Sequence, residues 1–151
     1  MRNENEMEMK VDSHSENEAF IRVAVAAFMT QMDPTLEEVA DVKTAVSEAV
    51  TNCIIHGYEN QEGKIEVLCR MKDHEIYIEI RDQGKGIADI EKAMEPMYTT
   101  KPDLERSGMG FAFMEAFMNE LQVESVLGKG TCIKMKKKLS KGSGTWNTPS
   151  L

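Results

Sequence analysis

Basic charge is scarce in this 151-residue sequence: 18 Lys and Arg stand against 26 Asp and Glu, a formal net charge of −8. So acidic a chain repels a phosphate backbone, which argues against sequence-independent binding to nucleic acid. Cysteine is scarce too. Cys53, Cys69 and Cys132 are odd in number and far apart, so they build neither a framework of bridges nor a zinc site and read as small apolar core residues of a reducing compartment. Long apolar runs are absent, and the first ten residues are polar rather than signal-like, so the expected setting is the cytoplasm with no membrane partner. The length suits one domain with a core between two packed layers.

The acidity gathers in the first eighteen residues and at Glu37, Glu38 and Asp41, whereas Lys134, Lys136, Lys137, Lys138 and Lys141 form a basic run. That run reads as a lysine-protected edge strand leading to a solvated tail. Residues 7–11 alternate as a short strand. Ser15 and Glu18 have capping-box spacing and open an apolar-periodic helix over 20–32. Asp33-Pro34 interrupts it, and a second helix starts near Thr35. Leu36, Val39, Val42, Val46, Ala49, Val50 and Cys53 fall on one side of that helix, which Gly57 ends. Residues 64–71 and 75–81 form a hairpin about Lys72-Asp73-His74. A long polar connection follows over 88–109, with a short helix at 90–94 that Pro96 and Pro102 limit; such connections are usually lids or binding loops. A third helix spans 111–119, and strands at 121–127 and 131–139 flank Gly128-Lys129-Gly130. Residues 1–139 thus form one domain, and 140–151 is a Gly/Ser/Thr-rich tail expected to be disordered, with Trp146 inside it. The expected fold is α/β: a two-layer sandwich whose mixed, mostly antiparallel sheet carries helices on one face.

Three separated pieces carry chemistry. Glu48 and Asn52 are four apart in Ser47-Glu-Ala-Val-Thr-Asn52, so they project from one helix face about 6 Å apart along the axis. A carboxylate and an amide there suit a magnesium ion, which wants hard oxygens and keeps several waters. Alone, the pair reads equally as a solvated surface. Asp82-Gln-Gly84-Lys-Gly86-Ile87 follows a strand. A strand-end carboxylate can accept from an exocyclic amine and so select adenine, while Gly84 and Gly86 allow close backbone approach and positive φ. Its plain alternative is a tight loop. Gly108-Met-Gly110-Phe111 opens a helix whose free N–H groups suit phosphate, or it is only a turn. No Gly-Lys-Ser/Thr follows, so it is not a P-loop, and no parallel βαβ pattern surrounds it to suggest a dinucleotide fingerprint.

Taken together over residues 35–138, these pieces resemble the Bergerat (GHKL) nucleotide-binding fold of type II topoisomerases, heat-shock chaperones, histidine kinases and mismatch-repair ATPases. The resemblance implies ATP or ADP with Mg²⁺: Asn52 on the metal, Asp82 on the adenine amine, Gly84 and Gly86 around adenine, Gly108 and Gly110 at the phosphates, and Thr131 near Asp82. More finely, Ser47-Glu-Ala-Val-Thr-Asn-Cys-Ile-Ile-His-Gly-Tyr58, Tyr98-Thr-Thr-Lys-Pro102, Glu105-Arg-Ser-Gly-Met-Gly-Phe111 and Phe20-Ile-Arg-Val-Ala-Val-Ala-Ala-Phe28 resemble the anti-sigma F factors of endospore-forming bacteria. The general-stress anti-sigma kinases stand next to them.

That resemblance implies a homodimer that binds and inhibits a sporulation sigma factor. It also implies a serine kinase that phosphorylates an anti-anti-sigma protein. Glu48 would accept or orient the serine proton, and Arg106 would contact the γ-phosphate with its fork of donors; Lys101 assists or is plain lid solvation. Arg22, in an otherwise apolar stretch, would contact partner proteins, or it snorkels along its own helix. A detached histidine-kinase domain is the rival enzyme reading, but His14, His56 and His74 offer no phosphoacceptor helix. An ATP-gated sequestering module without transfer is the non-enzyme rival, against which the retained Glu48 argues.

Overall fold

A computed structural model describes residues 4–95 and 110–140; most of the expected lid and the tail beyond Ser140 lie outside them. Strand β1 (Glu4–Asp12) leads to helix α1 (Glu16–Met29), a 3-10 turn (Thr30–Met32) and helix α2 (Leu36–Thr51), which continues as a π turn (Asn52–Gly57). Strands β2 (Lys64–Lys72) and β3 (Glu75–Asp82), helices α3 (Ile90–Ala93) and α4 (Gly110–Phe117), and strands β4 (Glu120–Val126) and β5 (Gly130–Lys138) follow. The sheet runs β1-β2-β3-β5-β4, and all four pairings are antiparallel.

Alternation along the strands sets the two faces. Ile65, Val67, Cys69, Met71, Ile76, Ile78, Ile80, Ile133 and Met135 are buried, and they meet Ile21, Val25, Phe28 and Met29 of α1, Val42, Val46 and Val50 of α2, and Met114 of α4 in one core. Each such side chain contributes about 1.5–3 kcal/mol. The other face is a lattice of charges, with Arg70 on Glu6 at 2.8 Å, Lys134 on Glu124 at 3.1 Å and Lys136 between Glu75 and Glu120 at 3.6 and 3.5 Å.

Four expectations change. The basic run is not an edge strand, because β5 lies inside the sheet between β3 and β4; its lysines answer carboxylates on the open face, while Lys137 turns inward to Asp41 (3.0 Å) and the Phe117 carbonyl (2.6 Å). Ser15 is the N-cap of α1 but makes no side-chain capping bond, since its backbone is already helical (φ −59°, ψ −30°) and its hydroxyl donates to the Glu16 carboxylate at 3.1 Å; the Glu18 side chain goes to Arg22 and the Ser47 hydroxyl. Leu36 is 90% exposed: as the first residue of α2 it precedes the turn at which the helix meets the core. Cys53 and Cys69 are buried as expected, but Cys132 is only half-buried, paired with Arg81 on the open side of the sheet.

The second helix begins as its sequence demands. Thr35 accepts from the Glu38 amide at 3.1 Å while Glu38 accepts from the Thr35 amide at 2.8 Å, a complete capping box. The other oxygen of Glu38 accepts from the Ser140 amide at 2.7 Å, fastening the end of the last strand to the start of α2. The β2–β3 turn is tight: Lys72 pairs with Glu75, leaving Asp73 and His74 at φ of 49° and 65°, as a primed two-residue turn requires.

Glu38 also makes stability depend on acid. Burial alone would raise its pKa, but the Thr35 and Ser140 amides together hold it below the ordinary value of 4.5. A carboxylate depressed in the fold contributes stability that is present above the unfolded pKa and lost as pH falls through the folded one. Glu38→Gln is therefore expected to lower the unfolding midpoint at pH 7 and to narrow its gap from the unaltered protein between about pH 5 and pH 3, read by thermal melts across that range.

Candidate functional site

Asn52 sits where α2 changes its winding. Beyond Thr51 the chain opens into a π turn, with the Tyr58 amide donating to the Cys53 carbonyl and the Asn60 amide to the Ile54 carbonyl, both at 2.9 Å. Such widened turns re-aim side chains and are frequent at functional sites. Glu48 lies on the regular helix and Asn52 at the first wide residue, both half-buried. The π turn ends at buried Gly57, which packs directly on Asp82: a Cβ at Gly57 would stand 2.8 Å from the carboxylate carbon.

Asp82 is the last residue of β3 and only 3% exposed. Its Oδ1 accepts from the Gly84 amide at 2.9 Å, whereas Oδ2 has no hydrogen-bond partner among the described residues. Burial pushes the carboxyl pKa up; the Gly84 amide, the Cys53 thiol and the Thr131 amide favour the charge without cancelling that push. Burial and the charge of Asp82 in turn push the Cys53 thiol well up, which keeps it protonated. A buried acceptor left unmet is costly. The N–H of an exocyclic amine would relieve it.

The loop after Asp82 is clamped on both sides. Lys85 donates to the Gly57 carbonyl at 3.0 Å, and Gly128 donates to the Lys85 carbonyl at 2.6 Å. The Ile87 amide donates to the Ser125 hydroxyl at 2.7 Å, and the Gln83 amide to the Tyr58 hydroxyl, also at 2.7 Å. A Cβ at Gly84 would overlap the Gly57 carbonyl, and one at Gly86, where φ is 77°, would overlap the Val126 carbonyl. These two glycines therefore admit neighbouring backbone, not only the flat ring for which the sequence suggested them.

The structure thus gathers Asp82, Gly84, Gly86 and Thr131, the last paired in register with Asp82 and 4% exposed, while Asn52 opens the π turn whose last residue, Gly57, packs on Asp82. Gly110 heads α4, which packs along α2. Arg22 stands elsewhere, on α1, paired with Glu18 at 3.7 Å and with its Nε buried and unpartnered among the described residues. Lys101, Arg106 and Gly108 lie outside the described residues. No group of three His, Cys, Asp or Glu among the described residues could hold a metal alone. A magnesium ion commonly takes most of its ligands from phosphate and water, so a single protein oxygen can suffice to hold it. Sequence reasoning missed the hydroxyls of Tyr58 and Ser125. Ser125 carries no pattern signal, and Tyr58 closes the motif that begins at Ser47 but is given no role of its own there.

Comparison with known proteins settles the family. Residues 11–137 match the model of the histidine kinase-like ATPase domain. The chain is 61% identical to the anti-sigma F factor of Clostridium acetobutylicum over 91% of its own length and 96% of that protein. With that of Clostridium botulinum, strain Eklund 17B, the identity is 62% over the same shares, and with that of Caldanaerobacter subterraneus it is 59% over 88% and 93%. The chain belongs to the anti-sigma F factor family. Its fold also superposes on the RsbU and RsbW domains of a Mycobacterium tuberculosis protein at a TM-score of 0.65 with 19% identity, over 89% of this chain and 32% of that longer one.

In this anti-sigma F factor fold, the buried Asp82 carboxyl costs stability when it is charged. A carboxyl whose pKa is raised in the fold favours folding most when protonated, and that advantage is lost as pH rises through the folded value. Asp82→Asn is therefore expected to be no less stable than the unaltered protein at pH 7 without nucleotide, yet to bind ATP at least about tenfold more weakly. Thermal melts and calorimetric titration of one preparation check both halves.

Proposed function

We propose that this chain binds and silences a sporulation sigma factor and, with Mg-ATP, phosphorylates a serine of an anti-anti-sigma protein, thereby inactivating it. One observation carries the reading. In a chain with 59–62% identity to anti-sigma F factors, Asp82 presents a buried, unmet carboxylate oxygen beside Thr131 and against the π turn that bears Asn52.

Each residue then has a task. Asp82 accepts from the adenine amine, and Gly84 and Gly86 let the loop close around the base. Asn52 holds Mg²⁺, which when bound neutralises charge on the phosphates. Gly110, with Gly108, offers backbone amides to the phosphates at the start of α4. Arg106 and Lys101 complete the phosphate contacts. Glu48 takes or orients the proton of the incoming serine hydroxyl as its oxygen bonds to the γ-phosphorus, and the bond from that phosphorus to the bridging oxygen breaks to leave ADP. Phosphoryl transfer demands positioning and charge neutralisation more than covalent chemistry, and the parts supplied are of that kind.

The protein acts as a homodimer, with Arg22 of α1 contacting partner proteins, and it works in the cytoplasm. The described residues include no helix long and apolar enough to cross a membrane. Residues 88–109 serve as the lid over the nucleotide.

Glu48→Gln separates binding from chemistry. It is expected to keep ATP affinity within about twofold while transfer of labelled γ-phosphate to serine falls by about 10²–10⁴. Acid-stable label appearing on the partner at the unaltered rate would remove Glu48 from the role of base.

A further inference from the structure

Ser125, Thr131 and Asp82 form one polar row across three strands. Ser125 of β4 pairs with Thr131 of β5, and Thr131 pairs with Asp82 of β3. The next row on the same side of the sheet is apolar, with Val123, Ile133 and Ile80 in register, so the polar row marks the end of the core. The Ser125 oxygen makes three contacts there: 2.7 Å from the Ile87 amide, 2.9 Å from the Gly130 carbonyl and 2.8 Å from Thr131 Oγ1.

Counting hydrogens assigns the directions. A serine hydroxyl has one hydrogen to donate and two lone pairs to accept with. The Ile87 amide can only donate, so it takes one lone pair. The Gly130 carbonyl can only accept, so it takes the single hydrogen. What remains on Ser125 is one lone pair, and the contact with Thr131 is satisfied only if Thr131 donates. The opposite arrangement would leave the Gly130 carbonyl facing an oxygen at 2.9 Å with no hydrogen between them.

We propose that Ser125 is a positioning residue for base recognition: by consuming the Thr131 hydrogen it makes Thr131 an acceptor toward the ligand. This rests on the reading that Asp82 and Thr131 face the nucleotide base. With the open Oδ2 of Asp82, that end of the pocket then presents acceptors only. It suits a six-position that donates, as the amine of adenine does, and opposes one that accepts, as the carbonyl of hypoxanthine or guanine does. Ser125 thus acts as a specificity determinant without touching the ligand, by fixing the direction of one hydrogen bond.

The experiment is calorimetric titration of the full chain with Mg-ATP and Mg-ITP. Ser125→Ala releases the Thr131 hydrogen, which can then turn toward the carbonyl of inosine. ATP affinity is expected to fall about five- to tenfold, ITP affinity to fall less or rise, and the preference for ATP to shrink at least about threefold. Ser125→Thr, which keeps the oxygen, is expected to retain the unaltered preference. If the alanine variant does not fold, Ser125→Cys serves in its place, since a thiol is a weak donor and acceptor. A loop-packing role alone would weaken both nucleotides by one factor, and that result, or a threonine variant behaving like alanine, overturns the proposal. Failure of the unaltered protein to bind Mg-ATP would instead sink the nucleotide reading itself.

Discussion

The site depends on backbone packing against backbone where no Cβ can stand. Gly84 lies on the Gly57 carbonyl, Gly86 on the Val126 carbonyl, and Gly130 on the carbonyl of Asp82. Between them these contacts press the loop after β3 against the π turn on one side and the β4–β5 turn on the other. Any larger residue at Gly84 or Gly130 would force main chain to move, because the obstructing atoms are carbonyl oxygens rather than flexible side-chain ends. Held this way, Asp82 is driven into the protein at the very end of its strand, with one oxygen met by the Gly84 amide and the other unmet among the described residues.

In the proposed function, that oxygen is where stability gives way to ligand binding. The core around it satisfies the ordinary rules: apolar side chains alternate inward on the strands, and the buried Glu38 has both of its oxygens matched to amides. At the end of the sheet the rule is relaxed at one atom: Oδ2 of the buried Asp82 has no hydrogen-bond partner among the described residues, and in the proposed function the nucleotide amine supplies one. Local violations of this kind are where a fold spends stability on function. The charged lattice on the opposite face of the sheet involves none of the residues assigned to the nucleotide. Its exposed pairs contribute little to stability individually.

Much of this was legible in the sequence. The alternation of 64–71 and 75–81 fixed the central hairpin, and Asp33-Pro34 marked the break after which α2 starts beside Thr35. The regular helix expected to carry Glu48 and Asn52 together, however, gives way to the π turn at Asn52. What escaped was long-range or local in a way that pattern cannot express. The placement of β5 inside the sheet depends on strand pairing, not on its own lysines, so its basic run misled. Ser15 has capping-box spacing, but the Glu18 side chain pairs with Arg22 one turn along α1 and with Ser47 across the α1–α2 contact. Gly57 looked like a helix terminator; its tighter constraint is the carboxylate of Asp82. Ser125 is one serine in a strand, and its importance appears only when Ile87, Gly130 and Thr131 are seen converging on one oxygen.

The claim that Asp82 reads the amine of adenine can be tested most directly by removing that amine from the ligand. Purine riboside triphosphate keeps the ring, ribose and phosphates of ATP but carries hydrogen at the six-position. With magnesium present, it should bind at least about tenfold more weakly than ATP, since the buried oxygen stays unmet. Equal affinity for the two nucleotides would contradict the account.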